Sequence, residues 1–319
     1  MKPDRPLAGM GLMLLFCLAA PLGDGMAKLL GGSIGLLVLM LARFATQAIL
    51  LAPVCVRHGT SLRPPPGTRA WVWLRSLLHV AGMGLMFAAL RVLPLADALA
   101  IAFVMPFIAL LLGWFLLSEA VGAHRIGACA VGFVGTLLVI QPNFSAVGAA
   151  ALLPLGVAVS FCGFMLVTRH LSGRLGAIRM QAISGWQGSL VVGAALLVWP
   201  GPGLTALPVT GSDWTLLAVM AVLGVGAQLA MTASLTLAPA ATLAPMQYLE
   251  IPFGVAIGWI MFRDLPDGVA QLGIAITVAA GLYVIARERH LSRQPMPPVA
   301  GSAAPGLSRP DARQAAPPR

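Results

Sequence analysis

Long apolar runs separated by short polar breaks dominate the chain. A helix needs about 20 apolar residues to cross the hydrocarbon core of a bilayer. Ten runs read as spans: 7–23, 34–56, 70–90, 97–117, 125–140, 147–168, 180–199, 214–236, 241–262 and 268–286. Two of the divisions rest on turn chemistry. Residues 126–168 and 214–249 carry no charged side chain, and Gln141-Pro142-Asn143 and Ala238-Pro239 divide them. The first run follows Lys2 and Arg5 and so imitates a secretion signal. It reads as a retained membrane helix, because it has a counterpart later in the chain.

Composition narrows the class. Of 319 residues, 59% are apolar and 9% charged, against about 25% charged in a soluble domain. That excludes a soluble globular enzyme, a disordered regulator and a coiled coil. A net charge of +10 would suggest nucleic acid in a soluble chain, but these basic residues lie mostly between the runs. There they orient helices, and no nucleic-acid partner is expected. With the N-terminus inside, thirteen Lys and Arg fall on the cytoplasmic side, among them Arg57, Arg63, Arg69, Arg75, Arg169, Arg174 and Arg179. Lys28, Arg91 and Arg263 fall outside. The positive-inside rule then places both termini in the cytoplasm. Residues 291–319, rich in Pro and Ala, read as a disordered cytoplasmic tail. Cys17, Cys55, Cys129 and Cys162 form no C-x-x-C pair and read as packing residues.

The two halves resemble each other at a shift of 145 or 146 residues. Gly11, Phe16 and Cys17 match Gly156, Phe161 and Cys162; Pro94 and Ala96 match Pro239 and Ala241. Gly113-Trp114, Glu119, Gly127 and Gly135 match Gly258-Trp259, Asp264, Gly273 and Gly281. With five spans per half, the second half enters from the opposite side. The fold expected is an all-α polytopic membrane protein of ten transmembrane helices in two inverted five-helix repeats, 1–143 and 144–290. Inverted repeats typify secondary transporters, whose site lies at the repeat interface near the midplane.

These residues, with Ala42-Arg43-Phe44, the run Ala244-Pro245-Met246-Gln247-Tyr248-Leu249-Glu250 and the stretch Phe262 to Asp267, carry a family resemblance. Over residues 7–288 the chain resembles the drug/metabolite transporter superfamily of the EamA-domain type. The last two stretches, with Asp24 and Lys28, are similar to bacterial S-adenosylmethionine uptake carriers; riboflavin and amino-acid carriers share much of the architecture. The resemblance implies a carrier in a bacterial inner membrane without fixing its solute.

Polar residues inside spans are functional candidates, since an Arg at mid-helix costs about 2.5–3.5 kcal/mol on insertion scales. Arg43 is either a carboxylate anchor or a structural partner of Glu250. His79 is a helix-packing group or a proton relay. Gln187 and Gln228 bond between helices or face a solute, and Trp186 packs or stacks on a planar one. Asp24 and Lys28, four apart at a helix end, read as a surface ion pair. Gln247, Glu250, Gly254 and Gly258 make one stripe, with Tyr248 on a neighbouring face. Pro252 frees the carbonyl of Tyr248, and Pro106 sits at nearly the equivalent place in the first half. Such helix breaks in both halves point to a transporter site.

No cofactor is expected, and there is no metal spacing, Walker loop or nucleophile elbow. The function expected is a proton- or gradient-coupled carrier of a small polar metabolite, working by alternating access. An integral-membrane enzyme or an assembly factor acting on lipid-linked substrates is the competing reading. Beyond solute and membrane lipid, the partner expected is none or a second copy, as a monomer or homodimer.

Overall fold

In a computed structural model the chain is described at residues 5–92, 102, 105, 108, 122–140, 150, 152–262 and 268–293. Among these residues there are helices and no strands. In chain order they are α1 (Pro6–Leu30), α2 (Leu36–Arg57), α3 (Arg69–Val92), α4 (Ala123–Ile140), α5 (Leu152–Leu171), α6 (Ala177–Val198), the short α7 (Pro202–Thr205), α8 (Gly211–Leu237), α9 (Ala240–Gln247), α10 (Glu250–Phe262) and α11 (Gly268–Arg293). The expected span 97–117, with Pro106, lies outside the described residues apart from 102, 105 and 108. So do Glu119, Gln141-Pro142-Asn143, Asp264 and residues 294–319.

α1, α2, α3, α5, α6 and α8 are long and apolar enough to cross a membrane, and shorter apolar stretches lie in α4, α10 and α11. Their outer faces are apolar: Ile49, Leu190, Leu197 and Val222 are exposed. In water that would be untenable; in lipid it satisfies both solvent and backbone. Local signals set the ends. Pro6 opens α1, where its missing N–H costs nothing. Thr210 and Asp213 form a reciprocal capping box at the start of α8.

Four helix pairs carry most of the packing: α1 with α8, α2 with α6, α3 with α5 and α4 with α11. Small residues permit the closest approaches. A Cβ on Gly185 of α6 would sit 2.6 Å from the Ala48 backbone nitrogen of α2, and one on Gly188 would enter the Phe44 ring. The buried core is rich in methionine, including Met10, Met13, Met165, Met231 and Met246.

Four expectations need correction. The span 241–262 is not one helix. It breaks at Tyr248-Leu249, because the Pro252 ring would strike the Tyr248 carbonyl in a continuous helix. Nor is that carbonyl freed: the Ile251 N–H donates to it at 3.2 Å. The break also splits the Gln247–Gly258 stripe between two helices. Finally, the first helix does not end near residue 23 but runs on to Leu30, which carries Asp24 inside the bundle.

Candidate functional site

A cavity of about 110 Å³ lies between α1, α2, α3, α5, α8 and the start of α10. That is smaller than an open small-molecule site, about 300–1,000 Å³. Most of its wall is apolar, with Phe16, Phe87, Phe161, Met83, Met86 and Met231 among the largest side chains. Five polar side chains converge on it: Asp24, Arg43, His79, Gln228 and Glu250.

Each is set by its helix. Arg43 leaves α2 and lays its guanidinium on α8 at Gly224, where a Cβ would stand 2.5 Å from Nε. Any other residue at 224 would displace the cation. Glu250 opens α10, so its carboxylate lies in the first turn, at the positive end of the helix dipole. The break after Gln247 therefore separates two expected partners. Glu250 faces the cavity, while Gln247 is buried against α5 with its Nε2 3.1 Å from the Met165 sulfur. Asp24 lines the same cavity as Arg43 and Glu250, so it is not the surface residue expected.

The cavity floor is His79 and Gln228. His79 is 2% exposed, edge-on to Phe44 at 5.0 Å and beside Phe164 at 5.0 Å. Both its ring nitrogens lack a hydrogen-bond partner among the described residues, as does Gln228 Nε2. Buried polar atoms normally find partners, and leaving one without costs about 1–3 kcal/mol.

One turn along the same helices lies a polar cluster in which those needs are met. Arg75, four residues before His79 on α3, is 1% exposed. Its Nε donates to Thr168 Oγ1 of α5 at 2.8 Å, and Nη2 to Thr232 Oγ1 of α8 at 3.0 Å. Nη1 donates to Ser184 Oγ and to the Met180 carbonyl, both of α6. The guanidinium carbon stands 4.4 Å from the centre of the Phe164 ring. Around it, Ser76 donates to Gln187 Oε1 at 2.7 Å, and Gln47 Nε2 to Gln181 Oε1 at 2.7 Å. Gln181 Nε2 donates in turn to Thr232 Oγ1 and to the Gln228 carbonyl. This clasp ties α2, α3, α5, α6 and α8 together, between the cavity and the bundle end formed by the α2–α3 and α5–α6 connections.

Of the expected site residues, Arg43, His79, Gln228 and Glu250 meet at the cavity. Gln187 belongs to the clasp. Tyr248 is fully buried beside Cys129 of α4, with Sγ and Oη 3.8 Å apart. Trp186 is 58% exposed on the outer face of α6 and does not line the cavity. Arg75 was assigned to orientation; its position six residues inside a span and one turn before His79 was the signal for a buried role. Asp24 had a weaker signal, a lone acid just beyond the first apolar run.

Residues 7–141 match the EamA-like transporter family. A riboflavin transporter of Rhizobium johnstonii is 31% identical over 226 residues, which cover 69% of this chain and 72% of that one. The chain belongs to the EamA-like transporter family. An S-adenosylmethionine uptake transporter of Rickettsia felis is 26% identical over 89% of this chain and 94% of its own. A protein of known crystal structure, 17% identical, superposes with a TM-score of 0.72 over 90% of this chain and 98% of that chain, which shows a shared fold. As an EamA-like protein the chain is a multi-pass membrane transporter rather than an enzyme.

Proposed function

We propose that the chain carries a small mixed-charge solute with a planar or apolar body across a bacterial inner membrane by alternating access. The carrying observation is the polar lining of the cavity, which holds Arg43, two carboxylates, Asp24 and Glu250, and the His79 and Gln228 side-chain nitrogens that have no partner among the described residues. Arg43 suits a carboxylate bidentately, the two acids suit a cation, and the Phe and Met walls suit a ring. S-adenosylmethionine has all three parts, and the Rickettsia felis relative is named for its uptake. Riboflavin is the second reading, favoured by the apolar walls and the hydrogen-bonding floor; it leaves the three charges without a partner in the solute.

The ten-helix inverted repeat is part of the same reading. Exchanging the halves takes α1 to α5, α2 to α6, α3 to α8 and α4 to α11. The α1–α8 pair then becomes α5–α3, and the α2–α6 and α4–α11 pairs map onto themselves, so the main packing pairs have the symmetry that the repeat requires. In this reading the repeats are 1–143 and 144–290, both termini are cytoplasmic, and the clasp closes the cytoplasmic side. Transport requires the clasp to part. Glu250 is the residue to carry proton coupling.

Uptake into proteoliposomes tests this directly. Labelled S-adenosylmethionine should accumulate, and Glu250→Gln should lose the dependence on an imposed proton gradient. Accumulation of riboflavin alone would replace the first solute by the second. Single cysteines at Thr60 and Gly173 should label from the cytoplasm and one at Gly211 from outside; labelling of all three from one side ends the orientation.

A further inference from the structure

A second concavity, of about 750 Å³, opens on the outside of the bundle between α1, α2, α6 and α8. Its trough is apolar, walled by Leu12, Leu15, Val54, Leu229 and Ala233. Its far end has a different chemistry. There lie His58, Thr60 and Arg179, beside Gly176 and Ala177, the first residues of α6. Among the described residues, none that lines it is acidic.

Three features of that end favour an anion. Gly176 caps α6 without a side-chain hydrogen bond, so the positive end of a 22-residue helix faces the groove. Arg179, in the first turn of α6, donates from Nη2 to the Arg63 carbonyl at 2.7 Å. Its Nε is buried and without a partner among the described residues. Arg57 precedes His58 in the chain, and Arg63 meets this end through the carbonyl that accepts from Arg179.

An apolar trough running into the bilayer from a cationic end matches an acyl chain below a phosphate. We propose that this groove seats one anionic glycerophospholipid, its phosphodiester at Arg179 and the α6 N-terminus and its chain along α1 and α8. The lipid then bears on the transport machinery from behind. Leu229 and Ala233 are each one residue beyond Gln228 and Thr232, and Arg179 immediately precedes Met180 and Gln181 of the clasp. A bound lipid holds α6 against α8 and favours the clasped state.

The test is native mass spectrometry and thermal melting of the purified full chain in detergent, with phosphatidylglycerol or phosphatidylcholine of identical acyl chains, or with inorganic phosphate alone. Phosphatidylglycerol should be retained and should raise the melting temperature, with a preference over phosphatidylcholine of about five-fold per engaged basic residue. Inorganic phosphate should do neither, because it lacks the chain. Arg179→Gln should cut that preference about five-fold. Leu229→Trp fills the trough without altering charge and should weaken retention of both lipids; it keeps the test open where Arg179→Gln does not fold. Equal retention of the two lipids by the parent protein overturns the proposal. So does an undiminished phosphatidylglycerol preference in Arg179→Gln, or undiminished retention in Leu229→Trp. Stabilisation by inorganic phosphate alone reduces the groove to an anion site and also overturns it.

Discussion

The cavity and the clasp are one helical turn apart on α3 and α8, yet they treat polar groups in opposite ways. In the clasp, Arg75 spends every nitrogen on a hydroxyl or carbonyl, and Gln181 bridges α2 to α8. In the cavity, His79 and Gln228 hold buried nitrogens that meet no acceptor or donor among the described residues. Satisfied buried networks rigidify one arrangement, whereas unsatisfied groups store a cost that a ligand relieves. In the proposed cycle the contrast separates the part that holds the protein shut from the part that takes cargo. It also couples them, since Arg75 and His79 on α3, and Gln228 and Thr232 on α8, are each four residues apart.

The contrast breaks most visibly at Arg43. Arg43→Ala should weaken solute binding about 10- to 100-fold, by loss of charge-assisted hydrogen bonds. The melting temperature without solute should hold, because no clasp bond involves Arg43. Binding isotherms and melting curves on one preparation check both halves of the statement.

Thr232→Val is the mirror experiment. It removes the acceptor shared by Arg75 and Gln181 and leaves a buried guanidinium N–H unpaired, which should cost about 1–3 kcal/mol. Solute affinity should change little. A cysteine at Ser184 should become reactive from the side the clasp closes. If Thr232→Val melts like the parent and Ser184→Cys stays protected, the clasp is not a closure.

His79→Phe sharpens the comparison, because it should move stability and binding in opposite directions. Its neighbours Phe44, Phe161 and Phe164 accept another ring, and two unpartnered nitrogens disappear. The protein without solute should gain about 1 kcal/mol or stay level, while solute affinity falls about tenfold. Loss of stability would mean that the imidazole has a structural partner.

The smallest effect is expected at Trp186, where Trp186→Phe on the outer face of α6 should leave uptake and melting unchanged. A clear loss of uptake would place that ring in the transport path.

Much of the fold was legible because hydrocarbon leaves little choice: long apolar runs become helices, and Ala238-Pro239 separates α8 from α9 as expected. The polar lining of the cavity was legible where a polar residue stood alone in such a run, as with Arg43, His79, Gln228 and Glu250. It was not legible where rotation about a helix decides. Trp186 and Gln187 are adjacent in sequence, yet one faces outward and the other accepts a bond from Ser76. Arg75 was hidden by its resemblance to the flanking arginines that orient a span, and only a bundle with hydroxyls at 168, 184 and 232 makes it an interior residue. The break at Tyr248 was anticipated in kind through Pro252, but not its effect of turning Gln247 and Glu250 to different surroundings.

The most direct measurement is isothermal titration of S-adenosylmethionine into the purified parent protein, Arg43→Ala and Thr232→Val. Saturable binding by the parent, loss of most affinity in Arg43→Ala and near-parent affinity in Thr232→Val is the expected result. Equal affinity in the parent and Arg43→Ala would contradict the assignment of the cavity as the solute site.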